Sequence, residues 1–289
     1  MNSWRNKLIT VALTSGFVFG CQMVTDQAIV LDPAFSREAT EFRLQKPTWT
    51  IKDAAYHQSF GGFQINELDL SGKSMRQQQM GSDFVLGDAG DFMFQFLFND
   101  VISLDPQWVN TYNVTGEQDY EFNVQMQATS AVHSNCKMLY QGQAEETVGN
   151  EVTGYNRLLD TELMSFLGCV VTQNGEISEL IVERKNGLAP KFKLHRGKTQ
   201  LRIEPVETAL YQTNERWTPT PMPMPGGQVF GYNFFIDNQQ VAAVTIDSQF
   251  PKIWILNKQT PAQQQWLVAV AYSIMMFNWQ DDWGRIGRS

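Results

Sequence analysis

Trp279 and Trp283 stand four residues apart and bracket two carboxylates, Asp281 and Asp282. Indole rings so placed can stack on a sugar ring while carboxylates bond its hydroxyls. The same four residues can also plug the end of a core, rings inward and carboxylates in water. Glu145-Glu146 and Glu176 with Glu179 are the other acidic groups from which a glycosidase pair would be drawn. Such a pair must meet across a cleft at about 5–10 Å. His57, His133 and His195 lie far apart in the chain and carry no local motif of a general base. No nucleophile elbow, His-Glu-x-x-His helix, phosphate loop or dinucleotide fingerprint occurs. The chemistry expected is recognition rather than catalysis, with no catalytic residue, metal or cofactor assigned.

Composition narrows the class of partner. The chain has 289 residues, 43% hydrophobic and 18% charged, enough apolar material for a packed core. Its 22 Lys and Arg against 30 Asp and Glu give a formal net charge of −8. That balance argues against nucleic acid and against an anionic lipid surface held by bulk charge.

The amino-terminal stretch carries an address. Arg5 and Lys7 precede an uncharged, mostly apolar run over residues 8–19, which ends in Gly20-Cys21. A basic start, a short apolar run and a small residue describe a secretory signal peptide over residues 1–20. The run is too short to span a bilayer, which needs about 20 apolar residues. Val18-Phe19-Gly20-Cys21 resembles the lipobox of bacterial lipoproteins. The resemblance implies that Cys21 is acylated and becomes the new amino terminus. Gln22, where an inner-membrane retention signal has Asp, implies the outer membrane of a Gram-negative cell. An envelope protein is then the partner expected, with peptidoglycan or another polysaccharide, bound or hydrolysed, as the alternative.

Outside the cytoplasm, Cys136 and Cys169 are expected to pair, at roughly 3–4 kcal/mol for a loop of that size. Buried free thiols are the alternative. His133-Ser-Asn-Cys136 has a metal-like spacing, but no second pair completes a tetrahedral set.

The elements that must position these residues read mainly as β. Residues 21–40 are patternless and are assigned to the lipidated cysteine and a tether, leaving 41–289 as one β-rich domain. Alternation marks strands at 41–44 and 49–52 and, through Phe92, Phe94, Phe96 and Phe98, a strand with one aromatic face. Tyr120, Phe122, Val124 and Met126 repeat the pattern. Gly61-Gly62, Ser71-Gly72-Lys73, Asn174-Gly175, Asn186-Gly187 and Arg196-Gly197 read as turns, and together they predict an antiparallel meander. Four prolines at alternate positions between Thr218 and Gly227 predict a stiff, extended connector.

Residues 231–246 predict a hairpin turning near Asp237-Asn238, followed by a strand at 252–256. Thr260, Pro261 and Gln263 then form a capping box. Over 266–277 only Ser273 is polar, so the helix has no wet face. At about 18 Å it is too short to cross a bilayer and must be enclosed by the sheet. The fold class expected is mainly β (α+β): an antiparallel sheet or barrel around one apolar C-terminal helix, with 228–279 as its strands and central helix. This pattern resembles the tubby-like barrel shared by tubby domains, phospholipid scramblases and plant LURP-one proteins. The resemblance implies an architecture only, because the acidic chain offers no basic cluster of the kind tubby domains use for phosphoinositides.

Overall fold

The computed structural model describes residues 25–47, 56–86, 106–148 without 128, 155–158, 164–219 without 186–187, 198 and 214–215, and 229–280 without 247–248. The expected strands at 49–52 and 92–98, the turn at Asn186-Gly187 and residues 220–228 of the connector lie outside these.

Short N-terminal elements come first: β1 (Asp26–Ile29), α1 (Pro33–Glu38), β2 (Ala39–Arg43) and β3 (His57–Phe60). The longest strands follow as β4 (Phe63–Leu86), β5 (Pro106–Met126) and β6 (Val132–Val148), then β7 (Tyr155–Leu158), β8 (Met164–Gln173) and β9 (Glu176–Lys185). The chain continues through β10 (Lys191–Arg196), β11 (Thr199–Val206), β12 (Ala209–Thr213), β13 (Arg216–Pro219), β14 (Gly231–Ile236), β15 (Gln239–Thr245) and β16 (Lys252–Leu256) to α2 (Pro261–Gln280).

One sheet forms the wall, in the order β2-β16-β15-β14-β11-β10-β9-β8-β6-β5-β4-β3, with β7 against the far end of β6. It curls into a nearly closed antiparallel barrel around α2. The turns expected at Asn174-Gly175 and Asp237-Asn238 are present, with positive φ at all four residues.

Side chains bridge the two free edges of the wall. Phe42 on β2 meets Phe60 and Phe63 across the gap, at ring-centroid distances of 6.1 and 5.4 Å. Gly61 turns between those two rings at φ +53°, and a Cβ there would lie 2.0 Å from Phe42 Cε1. Gly61→Ala should therefore cost about 2–4 kcal/mol through backbone strain and ring displacement. Urea unfolding measures it, and a loss under about 0.5 kcal/mol would show that this junction yields freely.

Inside the wall, every α2 residue from 265 to 277 is buried. Thr260 and Gln263 cap it reciprocally, each backbone N–H donating to the other's side-chain oxygen at 3.3 Å. Gln265 and Ser273 of the helix bond to the wall. Gln265 donates to the Val124 and Ser130 carbonyls at 2.6 and 2.9 Å. Ser273 donates to the Ala269 carbonyl and lies 2.9 Å from Ser134 Oγ, while Tyr120 donates to the Ser273 carbonyl at 2.8 Å. Burial holds the Tyr120 and Tyr272 phenols well above their usual range, so both stay uncharged.

Cys136 and Cys169 form a disulfide between directly opposed positions of β6 and β8. It faces the helix, with Cys136 Sγ 3.6 Å from Ser273 Oγ. The Cys136→Ala/Cys169→Ala variant should lose about 2–4 kcal/mol. An unchanged denaturation midpoint would show that the sheet register alone holds these strands.

A second layer covers part of the barrel from outside. The small sheet β1-β12-β13 and α1 pack Ile29, Phe35 and Ala209 against Ala243, Trp254 and Leu256. Strands β15 and β16 are consequently buried on both faces and read as nearly continuous apolar runs. Residues 26–40 thus belong to the body rather than to the tether expected over 21–40. A four-residue strand and a six-residue helix show no periodicity of their own, and burial against the wall stabilises them. Asp32 caps α1, accepting from the Ala34 and Phe35 N–H groups at 2.7 and 3.1 Å.

Strands β4, β5 and β6, of 24, 21 and 17 residues, run well past the barrel. The consecutive residues Gln77, Gln78 and Gln79 are all exposed, so β4 meets water on both faces there, while Val114 opposite Gln77 on β5 is buried. The turn expected at Ser71-Gly72-Lys73 is instead a register irregularity within β4, the form a strand glycine commonly takes.

Candidate binding wall

Of the four residues singled out at the C-terminal end, Trp279 lies among the described residues, and it turns inward. Trp279 is 3% exposed, donates its indole N–H to the Ile246 carbonyl at 3.1 Å and meets Tyr272 edge-on at 6.1 Å. Its ring packs into the barrel end and offers no face for a sugar. Asp281, Asp282 and Trp283 lie outside the described residues, as does Cys21.

The other candidates do not converge either. Glu176 and Glu179 have opposite parity on β9: Glu176 is paired with Arg196 at 2.9 Å, and Glu179 lies on the outer face opposite His195. Glu145 and Glu146 are successive residues of β6, at register positions opposite Thr111 and Asn110 of β5. His133 donates from Nδ1 to Asn123 Oδ1 at 2.9 Å and is exposed, as are His57 and His195 on distant strands. Among the described residues, no group of His, Cys, Asp and Glu is arranged to hold a metal ion.

The wall has a site that the sequence reading missed. Inward positions of β6, β8 and β9 carry Cys136, Met138, Leu167, Cys169, Leu180 and Val182, all buried. Outward positions of an antiparallel wall are expected to be polar. Here Leu139, Val170, Ile177 and Ile181 point outward, each between 44% and 58% exposed. Register makes them neighbours. Leu139 lies opposite Phe166, Gly168 opposite Ile181, and Val170 is two places along from Gly168. Gly168 contributes no side chain, so a shallow trough runs between the apolar groups.

At one end the row opens into a hollow of about 340 Å³, lined by Leu139, Phe166, Ser74, Arg76 and Glu117. Lys137 flanks it, 3.0 Å from Glu117. The hydrogen bond and charge of Lys137 hold the Glu117 carboxyl below its usual range. Charged side chains stand among the apolar ones on this face, Glu179 opposite Val170, Glu183 opposite Phe166 and Lys137 opposite Gly168, so the surface is mixed apolar and charged. The sequence carries a partial signal for it: 166–171 is apolar at both parities, and Ile177, Leu180, Ile181 and Val182 are apolar around Ser178 and Glu179.

Comparison with known proteins supplies no relative to interpret this wall by: no family model, curated protein or solved structure matches the chain.

Proposed function

We propose that this chain is a non-enzymatic binding protein of the bacterial cell envelope, anchored by lipid on Cys21 in the outer membrane, that docks a protein partner on its outer wall. One observation carries the docking: Leu139, Val170, Ile177 and Ile181 are exposed, with half-buried Phe166 beside them and Lys137, Glu179 and Glu183 between them, on strands whose inner faces are already used by α2. The filled interior supports a surface role over lipid carriage inside the barrel, since the buried helix occupies that space. The anchor rests on the lipobox-like Gly20-Cys21, and the disulfide between Cys136 and Cys169 accords with an oxidising compartment. The likeness to tubby-like barrels is proposed for architecture alone.

Two variants separate anchoring from docking. Cys21→Ser should abolish palmitate labelling and release the protein from the membrane fraction. Val170→Glu/Ile181→Glu should leave the fold intact, because both side chains face water, and should reduce in-cell cross-linking to the partner at least tenfold. Undiminished cross-linking in that variant would refute the docking surface. Sedimentation with peptidoglycan sacculi tests the glycan alternative, and specific pelleting would replace the protein-partner reading with it.

A further inference from the structure

The chain leaves the body toward Cys21 beside an exposed tryptophan. Thr25 is already fixed, its backbone N–H and its hydroxyl donating to the Gln212 carbonyl at 2.9 and 3.2 Å. Cys21 stands four residues earlier. An extended chain covers at most about 3.6 Å per residue, so the two Cα atoms lie within about 14 Å whatever path joins them. Acyl chains on Cys21 enter the hydrocarbon, and a tether this short decides which end of the body meets the membrane.

Register places Trp217 at that end. Asp26 of β1 pairs with Gln212 of β12, and Gln212 pairs with Trp217 of β13. Adjacent strands lie about 4.8 Å apart, so the Trp217 backbone is about 10 Å from the start of β1, inside the reach of the tether. All four residues of β13 are exposed, Trp217 at 44%. The Lys252 ammonium lies 5.5 Å from the ring centroid, which accounts for part of the indole surface and leaves the rest bare. Tryptophan is enriched at membrane–water interfaces, where its apolar body and its N–H each find partners. Among the described residues the exposed charge beside it is mixed, Arg43 and Arg216 with Glu41, so the contact requires no anionic lipid.

We infer that this end of the body rests on the bilayer, with Trp217 seated in the headgroup layer of zwitterionic phospholipid. The inference rests on the lipid anchor proposed for Cys21 and adds the orientation of the body to it. Ile181 on β9 stands five strands from β16 around the wall and supplies a control position away from β13.

The test uses the full-length lipidated protein in phosphatidylcholine liposomes that contain 5-doxyl-phosphatidylcholine as quencher. An environment-sensitive fluorophore is attached through Thr218→Cys and, in a separate protein, through Ile181→Cys. Cys21 is blocked by its lipid and Cys136 by its bond to Cys169, so the introduced thiol is the one that reacts. The label at position 218 should blue-shift on reconstitution and be quenched at least threefold more than the label at position 181. Trp217→Ser should at least halve the quenching at 218, whereas Trp217→Phe should keep most of it. Circular dichroism checks that both variants stay folded, and equal quenching with and without the ring would overturn the seating of Trp217.

Palmitate labelling and flotation of the same preparations separate the anchor from the orientation. A protein that carries palmitate and floats, yet has an unquenched label at 218 or equal quenching at 218 and 181, would overturn the orientation and leave the anchor standing. A blue shift at 218 without quenching would place a second copy of the chain over the ring and would overturn the lipid contact as well. Without palmitate and flotation the anchor fails, and the orientation falls with it.

Discussion

Trp266→Ala should be among the most damaging single changes in this protein, at about 3–5 kcal/mol. Trp266 is a fully buried residue at the start of α2, where the helix enters the barrel. Its indole N–H donates to Ser178 at 3.1 Å, and the Arg196 guanidinium covers the ring at 4.6 Å. Removing the ring leaves a large cavity, an unpaired Ser178 hydroxyl and a guanidinium without its platform. Arg196 is itself tied to Gln173 at 3.0 Å and to Glu176, and Gln173 reaches the Ala262 carbonyl at 3.0 Å. The loss should therefore spread to the hairpin around Asn174-Gly175. Urea midpoints measure the cost, and near-UV circular dichroism reports the ring environment. A cost below about 1.5 kcal/mol would mean that the barrel end collapses onto the space.

Asp26→Ala should be comparably severe, at about 3–5 kcal/mol, for an electrostatic reason. Lys252 is almost wholly buried, with its Nζ 2.7 Å from Asp26 Oδ1 and Glu41 farther off at 3.7 Å. The Trp217 and Trp254 rings flank the ammonium at 5.5 and 5.9 Å. Without Asp26, a desolvated cation keeps only the more distant, part-exposed carboxylate. Arg43 contacts the other Asp26 oxygen at 2.7 Å but is two-thirds exposed, so Arg43→Ala should cost no more than about 1 kcal/mol. The Asp26→Ala/Lys252→Met variant should recover most of the loss, because it removes both charges. If the double variant is as unstable as Asp26→Ala, packing of β1 rather than the ion pair carries the effect.

The contrast between these two sites follows what was legible in the sequence. Helix α2 was readable because a helix without a polar face has only one soluble solution, enclosure, and the capping box marked its start. The hairpins were readable because Asn174-Gly175 and Asp237-Asn238 supply positive φ at low cost. The β1–α1 layer was not, since Asp26 and Lys252 are 226 residues apart and no local pattern announces a buried ion pair. Likewise Ser71-Gly72-Lys73 reads as a turn in isolation, and only pairing with β5 shows it as an irregularity within a long strand. Part of the outer apolar surface lay in plain sight as the unbroken apolar run 166–171 and the apolar residues 177 and 180–182. Its outward half became a candidate site only when the inner half was seen to face α2.

The order of elements along the chain has a kinetic consequence. Helix α2 comes after every strand of the wall that must surround it, and β2 cannot find its neighbour β16 until residue 252 is available. A chain emerging amino-end first, at about 5–20 residues per second, must carry its future barrel lining unsheltered for roughly ten seconds or more. Hairpins such as β8–β9 can form early, but a curled sheet without its central rod exposes Phe122, Val124, Leu180 and Phe234 to any neighbour. Folding should therefore be slow, dominated by long-range closure, and sensitive to loss of residues 261–280. A chain halted just before Pro261 should aggregate rather than persist as a looser barrel, and a holding chaperone added during synthesis should rescue its solubility without restoring its fold.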